Sequence, residues 1–179
     1  MKTQTLPALV LLASAWLAAP VLAAELPPRV RADGFDLAQV GKGRLTWLGL
    51  GIYEAGLWTP DGRFEDFQPG EPVALSLAYE RRFSRAQLIE ITTGEWSRLG
   101  LATPEQREAW AAELAKLWRD VRRGDNMTAV VVPGGETRFY DASGLMGRVA
   151  DPAFGPAYLR IWLDQRSAVS DLRVALLGE

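Results

Sequence analysis

Alternating and helical patterns of apolar residues divide the chain into strands and helices. Residues 73–80 alternate between apolar and small or polar side chains, which predicts a strand with one buried face. Ser84 and Thr103 are each followed three residues later by glutamine, the pattern of a capping box at a helix start. We therefore predict one helix over 84–99, which ends before Gly100, and a second helix that begins at Thr103.

The first group of predicted strands precedes these helices. It consists of short strands over 29–32 and 35–40, a turn over 41–43, and one long strand over 44–58. Residues 48–52 are apolar on both alternating faces, so we expect the long strand to be covered on both sides or bulged at Gly49 or Gly51. Proline, aspartate and glycine in 59–62 predict a turn, and a loop follows over 64–72.

The last third of the chain predicts a second group of strands and a second pair of helices. The strands are predicted over 127–132, 136–141 and 145–149, with turns at 133–135 and 143–144. An aromatic-rich helix is predicted over 158–163, and a last helix ends at 176–178. Strands joined by hairpins, with helices in blocks, predict the α+β class: a large antiparallel sheet with a layer of helices on one face.

The N-terminus has the features of a secretory signal peptide over residues 1–23. Lys2 supplies a positive charge, residues 6–19 form an apolar run, and Val21 and Ala23 fill the small-residue positions of a cleavage site. The run is short for a membrane span. We therefore expect a periplasmic or secreted protein without a stable membrane span after processing. Residues 24–179 suit a single domain with its own core.

The composition excludes several kinds of chemistry. The sequence contains no histidine and no cysteine. This excludes Ser–His and Cys–His nucleophile systems, histidine zinc ligands and disulfides. A total of 20 Lys and Arg against 22 Asp and Glu gives a net charge of −2, which argues against nucleic acid as a partner. Without phosphate-binding glycine motifs, we expect no cofactor, and we expect no metal site.

Three stretches together resemble the chalcone isomerase family, in its bacterial exported chalcone isomerase-like branch. They are residues 41–44 with 50–58, residues 79–83 leading into the helix over 84–99, and the C-terminal set 124–125, 139–140, 147, 151–154, 161–164 and 172–178. The resemblance implies an open-faced β-sandwich, a large antiparallel sheet that carries a helical layer. This fold agrees with the prediction from the residue patterns.

The resemblance also implies where a ligand would bind. The family's enzymes cyclise a chalcone to a flavanone without a cofactor, and an arginine near the early strands holds the anionic oxygen of the substrate. Arg44 is similar to that arginine, and Tyr53 is expected to place its hydroxyl in the cleft. Other polar positions of the family's site fall on apolar residues here: Leu48, Phe83, Ile91 and Ile161. This replacement favours a protein without catalytic residues.

Relatives outside the enzyme branch resemble fatty-acid-binding proteins, in which the cleft between helices and sheet encloses an acyl chain. Burial of each methylene contributes about 0.8 kcal/mol, and a charge-assisted pair with Arg44 would hold the carboxylate. We predict an exported, non-catalytic protein that binds a small apolar ligand such as a fatty acid. Its predicted ligand-binding residues are Arg44, Tyr53, Leu48, Phe83, Ile91 and Ile161. Two alternatives remain: an intramolecular lyase or isomerase that uses Arg44, and a structural or partner-binding module of the envelope.

Overall fold

A six-stranded antiparallel sheet forms the centre of the fold. The computed structural model describes residues 24–132 and 135–179. The strands lie in the order of the sequence, so each one pairs with its neighbours along the chain. They are β1 (Ala38–Trp47), β2 (Leu50–Thr59), β3 (Val73–Tyr79), β4 (Asn126–Val131), β5 (Thr137–Asp141) and β6 (Gly144–Val149). The predicted signal peptide over 1–23 and most of the predicted turn over 133–135 lie outside the described residues.

Five helices accompany the sheet in the described part of the chain. They are α1 (Pro28–Ala32), α2 (Arg85–Leu99), α3 (Pro104–Leu117), α4 (Phe154–Leu163) and α5 (Ser170–Leu177). Helices α2 to α5 form the main core with one face of the sheet, and α1 packs on the other face. The predicted α+β class, with helices layered on an antiparallel sheet, is confirmed. No helix in the described ranges is long and apolar enough to cross a membrane.

The two capping boxes predicted from the sequence fix the starts of α2 and α3. Ser84 Oγ accepts a hydrogen bond from Gln87 N at 3.2 Å, and Gln87 Oε1 accepts one from Ser84 N at 2.9 Å. Thr103 and Gln106 form the same reciprocal pair. Helix α2 ends at Gly100, whose φ of 67° is left-handed. The local sequence therefore determines both boundaries of this helix.

The long strand predicted over 44–58 is instead a hairpin of β1 and β2. The chain reverses at Leu48 and Gly49, whose φ angles are 50° and 75°. Two consecutive residues with positive φ match the twist of antiparallel strands. The usual signal for such a turn is Asn or Asp before glycine, and a leucine with positive φ is uncommon. The apolar turn therefore has the sequence pattern of a continuous strand.

Two segments near the N-terminus also differ from their predictions. Residues 29–32, predicted as a strand, belong to α1, whose Pro28 lies at the first helical position, where a missing N–H is tolerated. Residues 41–43, predicted as a turn, lie inside β1. Helix α5 packs so closely on this strand that a Cβ at Gly41 would collide with the backbone carbonyl oxygen of Ala175. Gly41 therefore permits close contact between α5 and β1 and does not mark a change of chain direction.

Strand β3 is buried on both faces, although its alternation predicted one buried face. All seven of its residues are buried. The second face is covered by the N-terminal segment and α1, where Val30 packs with Ala74 and Ala78. Ser76 Oγ donates to the backbone carbonyl of Glu25 at 3.1 Å. The small side chains on this face leave room for that segment to lie directly on the sheet.

The core beneath α2, α3 and α4 contains connected aromatic rings. Trp96, Trp110 and Phe154 contact one another edge to face, with centroid distances between 5.1 and 5.7 Å. Trp96 Nε1 donates to the carbonyl of Ala157 at 3.1 Å, and Trp110 Nε1 donates to Asp151 Oδ2 at 2.8 Å. Both buried indole donors are thus satisfied. These contacts hold the three helices together as one layer.

Replacing Gly41 by alanine is expected to destabilise the protein by about 1–3 kcal/mol, because the added Cβ forces α5 away from β1. Gly94→Ala is the matched control. Gly94 lies in α2, a Cβ there would meet no atom within 4 Å, and alanine favours a helix by about 1 kcal/mol. Urea unfolding followed by circular dichroism measures both changes. A Gly41 variant as stable as the parent protein would contradict the proposed close packing.

Candidate functional site

A cavity of about 280 Å³ lies between the first half of the sheet and the helical layer. Strands β1, β2 and β3 form its floor, and α2, α4 and the α4–α5 connection cover it. The lining residues are Leu45, Ile52, Tyr53, Leu77, Tyr79, Phe83, Leu88, Ile91, Thr92, Glu95, Trp118, Tyr158, Ile161, Trp162, Ala168 and Val169. A hollow with a mostly apolar lining and a few polar groups is typical of a small-molecule site.

Tyr53 and Trp162 join β2 to α4 at this cavity. Trp162 Nε1 donates a hydrogen bond to Tyr53 Oη at 2.9 Å. Burial raises the pKa of Tyr53 to about 12, because the phenolate would lose its hydration. The Tyr53 hydroxyl is therefore protonated at neutral pH and retains its own hydrogen for donation.

Tyr79 of β3 and Tyr158 of α4 bring two further hydroxyls to the cavity. Both side chains are almost fully buried, and no group in residues 24–132 or 135–179 forms a hydrogen bond with either hydroxyl. Burial raises the pKa of both tyrosines well above the usual range, and the nearby Tyr53 adds to the effect. These two groups are therefore available to a polar atom of a ligand.

The remaining polar groups of the cavity are already occupied or hidden. Thr92 Oγ1 donates to the carbonyl of Leu88 at 2.8 Å, and the Glu95 carboxylate binds Arg98 with an Oε2–Nη2 distance of 2.6 Å. Trp118 Nε1 is buried and has no partner in the described ranges. The described lining includes no arginine or lysine. The cavity thus offers hydroxyl groups, rather than a cation, to the head of a ligand.

Arg44, the predicted contact for an anionic oxygen, lies on the sheet face opposite the cavity. Directly opposed residues of an antiparallel pair share a face, and successive residues alternate. Leu45 pairs with Tyr53 on the cavity face, so Arg44, which pairs with Glu54, points to the other side. There Arg44 Nε donates to Glu80 Oε1 at 2.6 Å, and Arg44 Nη2 donates to Glu80 Oε2. The prediction that Arg44 lines the cleft is therefore corrected by the strand register.

The Arg44–Glu80 pair also uses the guanidinium that a ligand would need. The hydrogen bonds between the two side chains lower the pKa of Glu80 and raise that of Arg44. Both groups stay charged over the ordinary pH range and compensate each other. Gly51 of β2 lies beneath the pair: a Cβ at this position would meet the flexible ends of both side chains.

The other predicted ligand contacts divide between the cavity and the surface. Phe83, Ile91 and Ile161 line the cavity together with Tyr53. Ile91 is 54% exposed and marks the rim. Leu48, in contrast, lies in the β1–β2 turn and is 80% exposed. It is outside the cavity lining because the chain reverses at this residue instead of continuing as a strand.

The hydroxyls of Tyr79 and Tyr158 were not predicted from the sequence as ligand contacts. Two signals point to them in retrospect. Tyr79 ends the alternating pattern of β3 on the face that carries Leu77, and Tyr158 precedes Trp162 by four residues on α4, which places both on one helix face. Neither signal distinguishes a cavity from a filled core, because aromatic residues serve both.

A larger hollow of about 520 Å³ lies beside the α3–β4 and β5–β6 connections. Four of its charged side chains form two pairs: Arg119 binds Asp141, and Arg122 lies 4.0 Å from Asp125. Exposed pairs of this kind contribute little to affinity or stability. Within the described ranges, no group of three or more side chains is arranged to hold a metal ion. The cavity between sheet and helices has the more apolar lining and is therefore the better candidate site.

Comparisons with known proteins agree with this fold. A family model described as chalcone isomerase-like matches residues 18–178. Among solved structures, the chain is similar to the crystal structure of an Arabidopsis thaliana fatty-acid binding protein, AtFAP1. The TM-score is 0.59 at 12% sequence identity, over 81% of this chain and 88% of that chain. At this identity, the likeness concerns the fold. No curated protein matches the sequence significantly.

Replacing Tyr53 by phenylalanine is expected to destabilise the protein by about 1–2 kcal/mol, because Trp162 Nε1 loses its hydrogen-bond acceptor. Tyr79→Phe is the matched control on the neighbouring strand, since its hydroxyl has no partner in the described ranges. That variant should be as stable as the parent protein or slightly more stable. Thermal unfolding of both variants without ligand measures the difference. Equal losses from the two substitutions would contradict the assignment of the hydrogen bond.

Proposed function

This chain belongs to the chalcone isomerase-like family, and on that premise we propose that it is a non-catalytic protein that binds a fatty acid or a similar apolar carboxylic acid. The observation that carries this proposal is the mostly apolar cavity between sheet and helices, whose lining includes Tyr79 and Tyr158 with hydroxyls that have no partner in the described ranges. The similar fold of a fatty-acid binding protein supports the same class of ligand.

The tail of the ligand would be held by burial of its apolar surface. Leucine, isoleucine and aromatic side chains from both the sheet and the helices surround the cavity. Each methylene transferred from water contributes about 0.8 kcal/mol, so a chain of medium length gains enough to offset the entropy of association. Ile91 at the rim marks the side on which the cavity approaches the surface.

The head of the ligand would be held by neutral hydrogen-bond donors. The tyrosine hydroxyls are protonated at neutral pH, and the described lining contains no cation. A carboxylate in such surroundings loses its hydration without gaining a counterion, which raises its pKa. We therefore infer that the acid binds in its protonated form, with its hydroxyl and carbonyl oxygens near Tyr79 and Tyr158.

The same geometry argues for binding rather than catalysis. Tyrosines with raised pKa values stay protonated at neutral pH, so they supply no phenolate as a base and are weak acids, and Glu95 is bound to Arg98. Arg44, the residue that could stabilise an anionic oxygen, is paired with Glu80 on the other face of the sheet. The groups that face the cavity can therefore orient a ligand, but they offer no acid–base pair matched to neutral pH.

We also propose that the protein is exported by a signal peptide over residues 1–23, as in the bacterial exported branch of the family. The charged start, the apolar run over 6–19 and the small residues at 21 and 23 support this. Expression in a bacterium, followed by the intact mass of the periplasmic protein, tests it. The expected N-terminus is Ala24. Unprocessed protein that stays in the cytoplasm would contradict export.

The binding of dodecanoic acid is expected to strengthen as the pH falls from about 8 towards about 5. If the acid binds protonated, the affinity changes by up to about tenfold per pH unit above its solution pKa. Dodecanol has the same tail and no titrating head, so its affinity should stay constant. Isothermal titration calorimetry measures both. An acid affinity that is independent of pH and weakened by salt would indicate a cation contact instead.

Variants on the two faces of the sheet test the location of the ligand. Ala168→Trp at the rim and Ile161→Phe in the wall should each weaken dodecanoic acid binding at least tenfold, because they fill the cavity. Arg44→Ala is the control and should leave the affinity unchanged. Mass spectrometry of ligand extracted from the purified protein identifies the chemical class of the natural ligand. Protein that is empty and binds no acyl probe would contradict the proposed function.

A further inference from the structure

The turn between β1 and β2 exposes a group of large apolar side chains. We call residues 47–50 the β1–β2 tip. Trp47 is 68% exposed, Leu48 is 80% exposed and Leu50 is 49% exposed. Single exposed apolar residues are normal on a protein surface, but three at the end of one hairpin form a projecting patch. Leu48 also has a φ of 50°, a conformation that is costly for a leucine.

The base of the tip is positively charged. Arg81 Nε donates to the carbonyl of Gly51 at 3.0 Å, which fixes one guanidinium beside the hairpin. Arg44 and Arg123 lie near Glu80, and Glu54 lies near Arg44. Arg44 and Glu80 compensate each other, and Arg81 and Arg123 against Glu54 leave a net charge of +1 at this position. The tip thus carries apolar side chains at its end and positive charge behind them. This arrangement matches an anionic bilayer, in which negatively charged headgroups cover an apolar interior.

The tip is also continuous with the cavity. Leu45 precedes it, Ile52 follows it, and both residues line the cavity. Ile91, half-exposed on α2, lines the cavity as well. A surface that covers the tip would therefore lie next to the rim through which an apolar ligand passes.

We propose that the β1–β2 tip docks on an anionic lipid bilayer and that the cavity exchanges its apolar ligand with that bilayer. Three side chains at the end of a two-stranded ribbon cannot supply the roughly 800 Å² per partner of a stable protein interface. Insertion into a bilayer needs no complementary partner surface, and tryptophan favours the bilayer interface. The exchange step rests on the proposed function, whereas docking does not.

The docking test is co-sedimentation of the purified protein with vesicles. The vesicles contain phosphatidylcholine alone or phosphatidylcholine with one-third phosphatidylglycerol. We expect binding to the anionic vesicles that weakens with salt. A variant with Trp47→Ser, Leu48→Ser and Leu50→Ser should bind at least tenfold less. Arg81→Gln should reduce the preference for anionic vesicles.

The matched control replaces exposed apolar residues elsewhere. Leu145 is 50% exposed and Val174 is 42% exposed, and the double substitution Leu145→Ser, Val174→Ser should leave vesicle binding unchanged. All variants share the same N-terminus, so any contribution of the apolar run over 6–19 is equal among them. Circular dichroism checks the fold. Vesicle binding by the tip variant at the parent level overturns the proposal, as does a dimer that the tip substitutions dissociate.

The exchange step has a separate test. Transfer of a fluorescent fatty acid from the protein to anionic vesicles should become faster as the vesicle concentration rises, because transfer occurs on contact. In the tip variant, the rate should not depend on vesicle concentration, while affinity in solution stays unchanged. Protein that docks but binds no fatty acid contradicts the proposed function alone. Protein that binds fatty acid but transfers it independently of the tip overturns the exchange.

Discussion

The register of β1, β2 and β3 is the constraint on which the candidate site depends. Side chains alternate between the two faces of a strand, so each face receives every second residue. In this register, Leu45, Tyr53 and Tyr79 face the helices. A slip of one residue would turn Arg44 and Glu80 under the helical layer and the tyrosines away from it. Because burial of charged side chains is strongly unfavourable, the alternation of charged and apolar residues along these strands disfavours the slipped register.

The cavity combines apolar walls with hydroxyl groups that are difficult to ionise. Burial raises the pKa values of the three tyrosines, so their hydroxyls are neutral at physiological pH, and the Glu95 carboxylate in the lining is paired with Arg98. The neutral tyrosine hydroxyls can donate hydrogen bonds to an uncharged oxygen of a ligand, which needs no counterion. An enzyme that stabilises an anionic intermediate needs the opposite, a donor array or cation aimed at the developing charge. The chemistry on the cavity face is therefore suited to retention of an apolar molecule.

The sequence predicts those parts of the fold that depend on local rules. The capping boxes at Ser84 and Thr103 and the glycine after α2 give helix boundaries that agree with the structure. The sequence does not predict the hairpin at Leu48, because its turn residues are apolar. Gly41 has the sequence pattern of a turn, because the reason for a glycine there is the close approach of α5, which is distant in sequence.

The candidate site is predictable from the sequence only in part, for a related reason. Phe83, Ile91 and Ile161 line the cavity as their positions in the family pattern imply. The place of Arg44 depends on the number of residues in the β1–β2 turn and on a bulge between Leu45 and Thr46. A single sequence shows neither feature. The face on which an arginine lies is therefore decided by the hairpin, not by the motif that contains it.

Arg44 has a structural role in the arrangement that replaces its expected contact with a ligand. Its ion pair with Glu80 links β1 to the end of β3 across Gly51 of the intervening strand. As a half-exposed pair, it contributes little to stability. The glycine between them leaves room for the two side chains to meet on this face. The pair thus links β1 to β3 across β2 on the face opposite the hydroxyl-bearing cavity.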